Sequence, residues 1–316
     1  MALSLPDRWI WDSWFVWDGD MCHAFYLCAS RALGDPERRH RYTQVGHAQS
    51  RDLVDWEILP DALAPSDSPA FDSWTTWTGS TVKGPDGLWR MFYTGSSRED
   101  NGRVQRIGVA TSEDLVVWDK DPDLVVEADE RWYEKLSDGV WDDEAWRDPW
   151  VYLDTSDGLW HMLITARAKT GEPATRGAMG HATSTDLVNW DVKPPLSQSE
   201  TSFGHMEVFQ FELIDGVPVL IFCCGSRELG PDMRDSFGST DLTFSVVCAE
   251  GLSAVNYADA LPVPGDSLYA ARAIQKPSGE WFLIGFVNHD AQGFVGALSD
   301  PVPVTATMEK GLVSRT

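Results

Sequence analysis

A segment of twelve residues recurs along this chain, and it restricts the fold more than any other feature. It reads Val45-Gly-His-Ala-Gln-Ser-Arg-Asp-Leu-Val-Asp-Trp56, then Ile107-Gly-Val-Ala-Thr-Ser-Glu-Asp-Leu-Val-Val-Trp118, then Met179-Gly-His-Ala-Thr-Ser-Thr-Asp-Leu-Val-Asn-Trp190. Weaker echoes lie at Phe244 to Leu252 and at Val295-Gly-Ala-Leu-Ser-Asp-Pro301. Anchored on Gly46, Gly108, Gly180, Ser245 and Gly296, the copies fall 51 to 72 residues apart. Fixed-period echoes are the mark of stacked structural units. A second family of segments interleaves with the first: Trp11 to Ser30, Trp77 to Gly95, Trp146 to Ala166, Met206 to Gly225 and Tyr269 to Asn288. Each reads as two β-branched and aromatic strands around a hairpin turn, with Asp-Gly or Ser-Gly pairs starting at Asp18, Asp86, Asp157, Asp215 and Ser278. Each unit then supplies a hairpin, a strand carrying Gly-x-Ala-x-Ser, and an outer strand starting near Asp-Leu-Val-x-Trp. Four antiparallel strands repeated five times predict an all-β, five-bladed propeller, whose closure hides the sheet edges. A sandwich or jelly roll does not predict a five-fold echo. With no linker in sight and too few residues after Pro303 for a second domain, residues 1–316 are expected to form one domain with no C-terminal β-sandwich.

The chain carries 25 basic and 49 acidic residues, a net charge of -24. Such a surface repels phosphate backbones and anionic lipid, so neither nucleic acid nor a membrane surface is an expected partner. Met1 to Trp11 shows no secretory signal pattern, and no stretch has the roughly 20 apolar residues of a spanning helix. The five cysteines, Cys22, Cys28, Cys223, Cys224 and Cys248, lack metal-type spacing and sit mostly in apolar runs. They are read as buried thiols in a reducing cytoplasm rather than as a disulfide framework. His23, His161, His181, His205 and His289 share no ligand spacing either, so no metal and no cofactor are expected. Sixteen tryptophans suit a site that stacks sugar rings as well as a large core.

In a propeller the first strand of each blade lines the central channel. Three acids fall on such strands: Asp12 in Trp11-Asp-Ser-Trp14, Asp148 in Trp146-Arg-Asp-Pro-Trp150, and Glu207 in His205-Met-Glu-Val-Phe209. The blade-equivalent positions read as 12, 78, 148, 207 and 272, which sets the acids at matching depth. Buried acids are costly unless paired or used. Glycoside cleavage uses such a set, one carboxylate attacking or activating water while a second protonates the leaving oxygen. Arg147 is placed to hold Asp148 ionised or to bind sugar hydroxyls. On spacing alone, salt-bridged channel acids of a non-catalytic propeller remain an equal alternative. The acidic run Asp142-Asp-Glu144 reads as a solvated loop or part of the funnel rim, and the long connection Leu124 to Asp143, with Trp132, Tyr133 and Trp141, as a segment that serves function or packing between subunits.

The order of these motifs resembles the five-bladed glycosidases of glycoside hydrolase families 32 and 68, with family 43 more distant. Trp11-Asp-Ser-Trp14 is similar to the family 68 nucleophile motif, Trp77-Thr-Gly-Ser80 to the Trp-Ser-Gly-Ser element, and Ser112-Glu-Asp-Leu-Val-Val-Trp118 to a family 32 segment. Arg147-Asp-Pro149 resembles the Arg-Asp-Pro motif. The resemblance implies Asp12 as nucleophile, Asp148 as transition-state stabiliser and Glu207 as general acid/base. It implies substrate contacts from Arg147, Trp14, Trp77, Ser80, Tyr269 and Arg272, and His205 is a further candidate contact on the strand that carries Glu207. The sequence departs from family 32 in Ser13-Trp14 after Asp12 and in Val208-Phe209 where the family has Cys-Pro. The implied reaction is retaining hydrolysis of small β-fructofuranosides, sucrose or short fructo-oligosaccharides, with the two carboxyl groups roughly 5 to 5.5 Å apart. Fructosyl transfer and a homodimer stay open. So do two other readings: a family 43-like inverting arabinofuranosidase or xylosidase, and a non-catalytic sugar-binding propeller.

Overall fold

Apolar-rich segments on either side of the predicted turns form five antiparallel sheets in a computed structural model. The structure describes residues 3–197, 201–238, 240–265, 268–290 and 293–315. Blade one is β1 (Arg8–Asp18), β2 (Met21–Ser30), β3 (Gln44–Ser50) and β4 (Glu57–Leu63). Blade two is β5 (Thr75–Lys83), β6 (Trp89–Ser96), β7 (Gln105–Ser112) and β8 (Asp119–Val126). Blade three is β9 (Trp146–Asp154), β10 (Leu159–Arg167), β11 (Gly177–Ser184) and β12 (Asp191–Lys193), and blade four is β13 (Glu207–Ile214), β14 (Val217–Cys224), β15 (Leu242–Val247) and β16 (Leu261–Pro262). Blade five is β17 (Leu268–Gln275), β18 (Trp281–Asp290), β19 (Gly293–Leu298), β20 (Val302–Thr307) and β21 (Gly311–Ser314). The first strands touch in cyclic order, β1 to β5, β9, β13, β17 and back to β1, so the ring is closed. Leu3 bridges Leu298 and ties the start of the chain to blade five. Helix among the described residues is limited to α1 (Pro231–Phe237) and short 3-10 turns.

The recurrent segment has a physical reason at each position. Its serine ends the third strand, its aspartate accepts two backbone N–H bonds, and its leucine is fully buried in a left-handed conformation. In the first copy Val54 and Asp55 donate to Asp52 at 2.8 and 2.9 Å, and Leu53 has φ 71°. Asp114 with Leu115, and Asp186 with Leu187, repeat this arrangement. Asp-Leu-Val-x is therefore a turn rather than the start of the outer strand, because side-chain capping of those amides competes with ladder pairing. The glycine of the segment is needed for close approach. A Cβ on Gly46 would lie 2.3 Å from the Tyr26 ring, and one on Gly108 would lie 2.2 Å from the Phe71 ring. In blade five the third-strand position is split between β19 and β20, both paired to β18, and the break falls at Asp300-Pro301, where proline has no N–H for the ladder.

The five innermost strands share a second device. Each pairs with its neighbour through a register shift: between Trp11 and Ser13, Trp77 and Gly79, opposite Leu163 to Thr165 (around Asp148), between Glu207 and Gln210, and between Tyr269 and Arg272. Asp148, Val208 and Ala270 take positive φ there, at 57°, 56° and 46°. Non-glycine residues in that region cost about 1–3 kcal/mol each, and such strain gathers at functional sites. Threonines from the preceding blade satisfy the displaced amides. Asp148 N–H donates to Thr94 Oγ1 at 2.8 Å, and Val208 N–H donates to Thr165 Oγ1 at 3.2 Å.

Candidate active site

A bulge lets two consecutive residues face the same side, where regular pleating would turn one away. Around the channel this creates two rings. Trp11, Trp77, Arg147, Glu207 and Tyr269 hold the ring nearer the mouth, each just before its bulge. Asp12, Thr78, Asp148, Val208 and Ala270 hold the ring below. All of them but Ala270 form the walls and floor of a cavity of about 600 Å³. Glu207 therefore lies one residue nearer the mouth than Asp12 and Asp148, and the equivalent position in blade five is 270 rather than 272. Matching depth for the three acids, and Arg272 as their blade-five counterpart, are both corrected by the bulges.

The acids differ in environment. Thr78 Oγ1 donates to Asp12 Oδ2 at 2.5 Å, and no cation pairs with Asp12 among the described residues. Burial pushes its carboxyl above the ordinary range, opposed by the Thr78 bond and reinforced by Glu207. Asp148 accepts from Thr165 Oγ1 at 2.9 Å, and burial pushes it up to about 7 although Arg147 Nε lies 3.5 Å from Oδ2. Arg147 favours the ionised form of Asp148, but less than burial opposes it. Its guanidinium also serves Glu207 Oε1, Gln105 Oε1 at 3.0 Å and His205 Nδ1 at 2.8 Å. Burial opposes the charge on Arg147, but Glu207, Asp148 and Asp143 together hold it firmly protonated. Tyr269 Oη donates to Glu207 Oε2 at 2.7 Å, so both carboxyl oxygens of Glu207 are held.

Of the ten residues singled out from sequence, Asp12, Asp148, Glu207, Arg147, Trp77 and Tyr269 line this cavity. Trp77 is fixed by its indole N–H on His40 O at 2.9 Å. Trp14, Ser80 and Arg272 do not line it. Each lies two residues beyond its bulge, about 6–7 Å deeper along the strand. They are packed between neighbouring blades. Trp14 is fully buried, with its indole N–H on Thr81 Oγ1 at 3.1 Å. Ser80 Oγ accepts from Val151 N–H at 3.0 Å. Arg272 caps the carbonyls of Val208 and Phe209, freed by the blade-four bulge, and stacks 4.9 Å over Trp150. His205 is buried behind Arg147, and burial followed by Arg147 and Arg167 keeps its ring neutral, so Nδ1 accepts from Arg147. Ser80→Ala is expected to cost about 1–3 kcal/mol through the orphaned Val151 amide with KM unchanged, whereas Trp77→Ala raises KM. Thermal melts and steady-state kinetics on the two variants check this.

Thr78, inside the Trp77-Thr-Gly-Ser80 element, touches Asp12, and Gln105, which carries no motif, touches Arg147. Gln105 also donates to Asp143 Oδ2 at 2.8 Å, which brings Asp143 of the acidic run to the rim. Its neighbour Glu144 is buried against Lys135, and Asp142 is exposed. The connection between blades two and three packs in part against blade three: Tyr133 is fully buried with its ring 4.7 Å from that of Trp146, and the Trp141 ring centre lies 3.8 Å from the Arg167 guanidinium. All five cysteines are free and buried, and burial pushes their thiols up, Cys28 to about 11.

Asp148 makes a stability prediction with a definite sign. Its folded carboxyl titrates near 7 against an ordinary 3.8, so the folded state keeps a proton that the unfolded chain has released. Stability is then full below about pH 4 and falls as pH rises towards and through 7. Asp148→Asn is expected to gain on the natural protein as pH rises, by about 2–4 kcal/mol at pH 8 and little at pH 4. Denaturant melts at both pH values measure the difference.

Residues 13–299 match the N-terminal domain of the glycosyl hydrolases family 32. Among curated relatives, a sucrose-6-phosphate hydrolase of Staphylococcus xylosus is 24% identical over 272 residues, covering 83% of this chain and 51% of the relative. An insoluble β-fructofuranosidase isoenzyme of Arabidopsis thaliana is 33% identical over 208 residues, covering 62% of this chain and 34% of the relative. The chain thus spans about half or less of these relatives' lengths. Among solved structures, the inulosucrase of Halalkalicoccus jeotgali bound to kestose superposes with a TM-score of 0.78 at 20% identity, covering 98% of this chain and 88% of that one. That likeness extends the five-bladed fold over almost every residue. With the family's N-terminal domain matched across nearly its whole length, this chain belongs to the glycosyl hydrolases family 32.

Proposed function

We propose that this chain hydrolyses small β-fructofuranosides, sucrose or short fructo-oligosaccharides, with retention of configuration. One observation carries the reading: Asp12 of blade one, without a cationic partner, and Glu207 of blade four, held by Arg147 and Tyr269, line the same cavity. Asp12 attacks the anomeric carbon while Glu207 protonates the departing oxygen, which leaves a fructosyl ester on Asp12. Glu207 then takes a proton from water, and the hydroxide formed releases fructose. A sugar hydroxyl in place of that water gives transfer. Substrate hydroxyls that take the donors of Arg147 free Oε1 of Glu207 to carry the proton. Asp148, sharing the floor with Asp12, accepts from a sugar hydroxyl that strengthens its bond in the transition state. The relatives named for sucrose-6-phosphate and fructofuranoside hydrolysis support the substrate class.

Residues 1–316 are read as one catalytic domain working in the cytoplasm, a placement favoured by five unpaired cysteines. Among the described residues no helix is long and apolar enough to cross a membrane. The test is monosaccharide release from sucrose, inulin-type and levan-type oligomers, other fructosides and an aryl arabinofuranoside. Fructose is the expected product. Arabinose release would move the chain to an arabinofuranosidase reading, and no release from any of them would leave a sugar-binding propeller.

A further inference from the structure

Resting on that reading, the charge at the cavity rim points to a narrower substrate class. We propose that the site accepts neutral fructosides and rejects their phosphate esters. Among the described residues seven carboxyl groups line the cavity against three guanidiniums. Beyond the catalytic set the acids are Glu37, Asp143, Glu228 and Asp241, contributed by the segments that rise above the first strands.

The cations are mostly engaged. Arg147 is held by Glu207, Gln105 and His205. Arg39 is buried, donates to Pro36 O at 2.9 Å and Glu37 Oε1 at 3.1 Å, and lies 4.0 Å over the Phe294 ring. Arg227 is exposed at the rim and is the cavity's only guanidinium without an acceptor among the described residues. No lysine lines the cavity, and none of the residues outside the described set is a lysine or arginine.

Hydrogen-bond complementarity points the same way as charge. A sugar hydroxyl donates, and rim carboxylates accept. A phosphate monoester near neutral pH carries close to two negative charges and only accepts. Asp241 is fixed as an acceptor by Ser226 N–H at 2.8 Å and Asn288 Nδ2 at 3.0 Å. Glu228 is half-buried at the same rim, and its carboxyl has no side-chain partner among the described residues. An unneutralised carboxylate beside the leaving-group path is a repulsive element, and selectivity comes from such elements as much as from attraction.

The experiment compares kcat/KM for sucrose and sucrose 6-phosphate at 50 and 500 mM NaCl, in the natural protein and in Glu228→Gln and Arg227→Ala. Several screened like-charge interactions are expected to favour sucrose by about tenfold or more at low salt. That ratio narrows severalfold at high salt and in Glu228→Gln, and Arg227→Ala widens it or leaves it unchanged. Equal or faster turnover of the ester overturns the inference. So does an ester rate in the natural protein that Arg227→Ala selectively abolishes, since Arg227 would then be a phosphate anchor. If neither compound is cleaved, the hydrolase reading fails and calorimetry decides the charge question separately. Binding of sucrose without the ester upholds rejection, and binding of the ester overturns it.

Discussion

Glu207→Gln is expected to lower the rate of sucrose cleavage by about 10²–10⁴-fold, the range for loss of a positioned general acid. The glutamine oxygen and amide keep the shape of the side chain and the bond from Tyr269 Oη, but supply no proton. Loss of the negative charge also releases Arg147, so substrate affinity is preserved or improved while kcat falls. A leaving group that needs no proton separates chemistry from misfolding. With fructosyl fluoride the variant's first step recovers, and its second step, which needs a base, becomes limiting. A burst of fluoride followed by slow turnover is the expected trace. A variant equally slow on sucrose and on the fluoride, with no burst, would assign the acid/base role elsewhere in the cavity.

The second large effect is at Asp12. Asp12→Asn removes the nucleophile and is expected to cost about 10⁴-fold or more in kcat, the scale of deleting a residue that forms the covalent intermediate. Stability moves the other way. The Thr78 hydroxyl at 2.5 Å can still donate to the amide oxygen, and the variant no longer carries a carboxyl that burial pushes above its ordinary range. A raised acid pKa means that ionising the group costs stability as pH rises, so Asp12→Asn melts higher than the natural protein at pH 7 and converges with it at low pH. Kinetics and melts on one preparation test both halves. A residual rate near that of the natural protein would remove Asp12 from the reaction.

The fold was readable because its repeat is enforced locally. An aspartate that caps two amides, a leucine buried in a left-handed conformation and a glycine under an aromatic ring recur in blades one and two, and the aspartate and leucine return in blade three. The acids and Arg147 were readable because carboxylates on apolar first strands are unusual wherever they occur. Depth was not readable. A bulge adds a residue without altering composition, so the resemblance named Trp14, Ser80 and Arg272 as contacts although they lie past the bulges and outside the cavity lining. The unseen bulges also set Glu207 level with Asp12. Gln105 and the bond from Thr78 to Asp12 were silent because ordinary polar residues acquire their roles only from the neighbours that packing of adjacent blades brings to them. The bond from Arg147 to His205 is of this kind as well, since strands of different blades meet there.

The stereochemistry of transfer to methanol tests the double displacement most directly. Sucrose is incubated with the protein in aqueous methanol, and the methyl fructofuranoside formed in the first turnovers is identified by nuclear magnetic resonance. Attack by Asp12 and discharge of the ester on the opposite face give two inversions, so the expected product is methyl β-fructofuranoside. Formation of the α anomer would mean a single displacement with Asp12 as base rather than nucleophile, and would contradict the account.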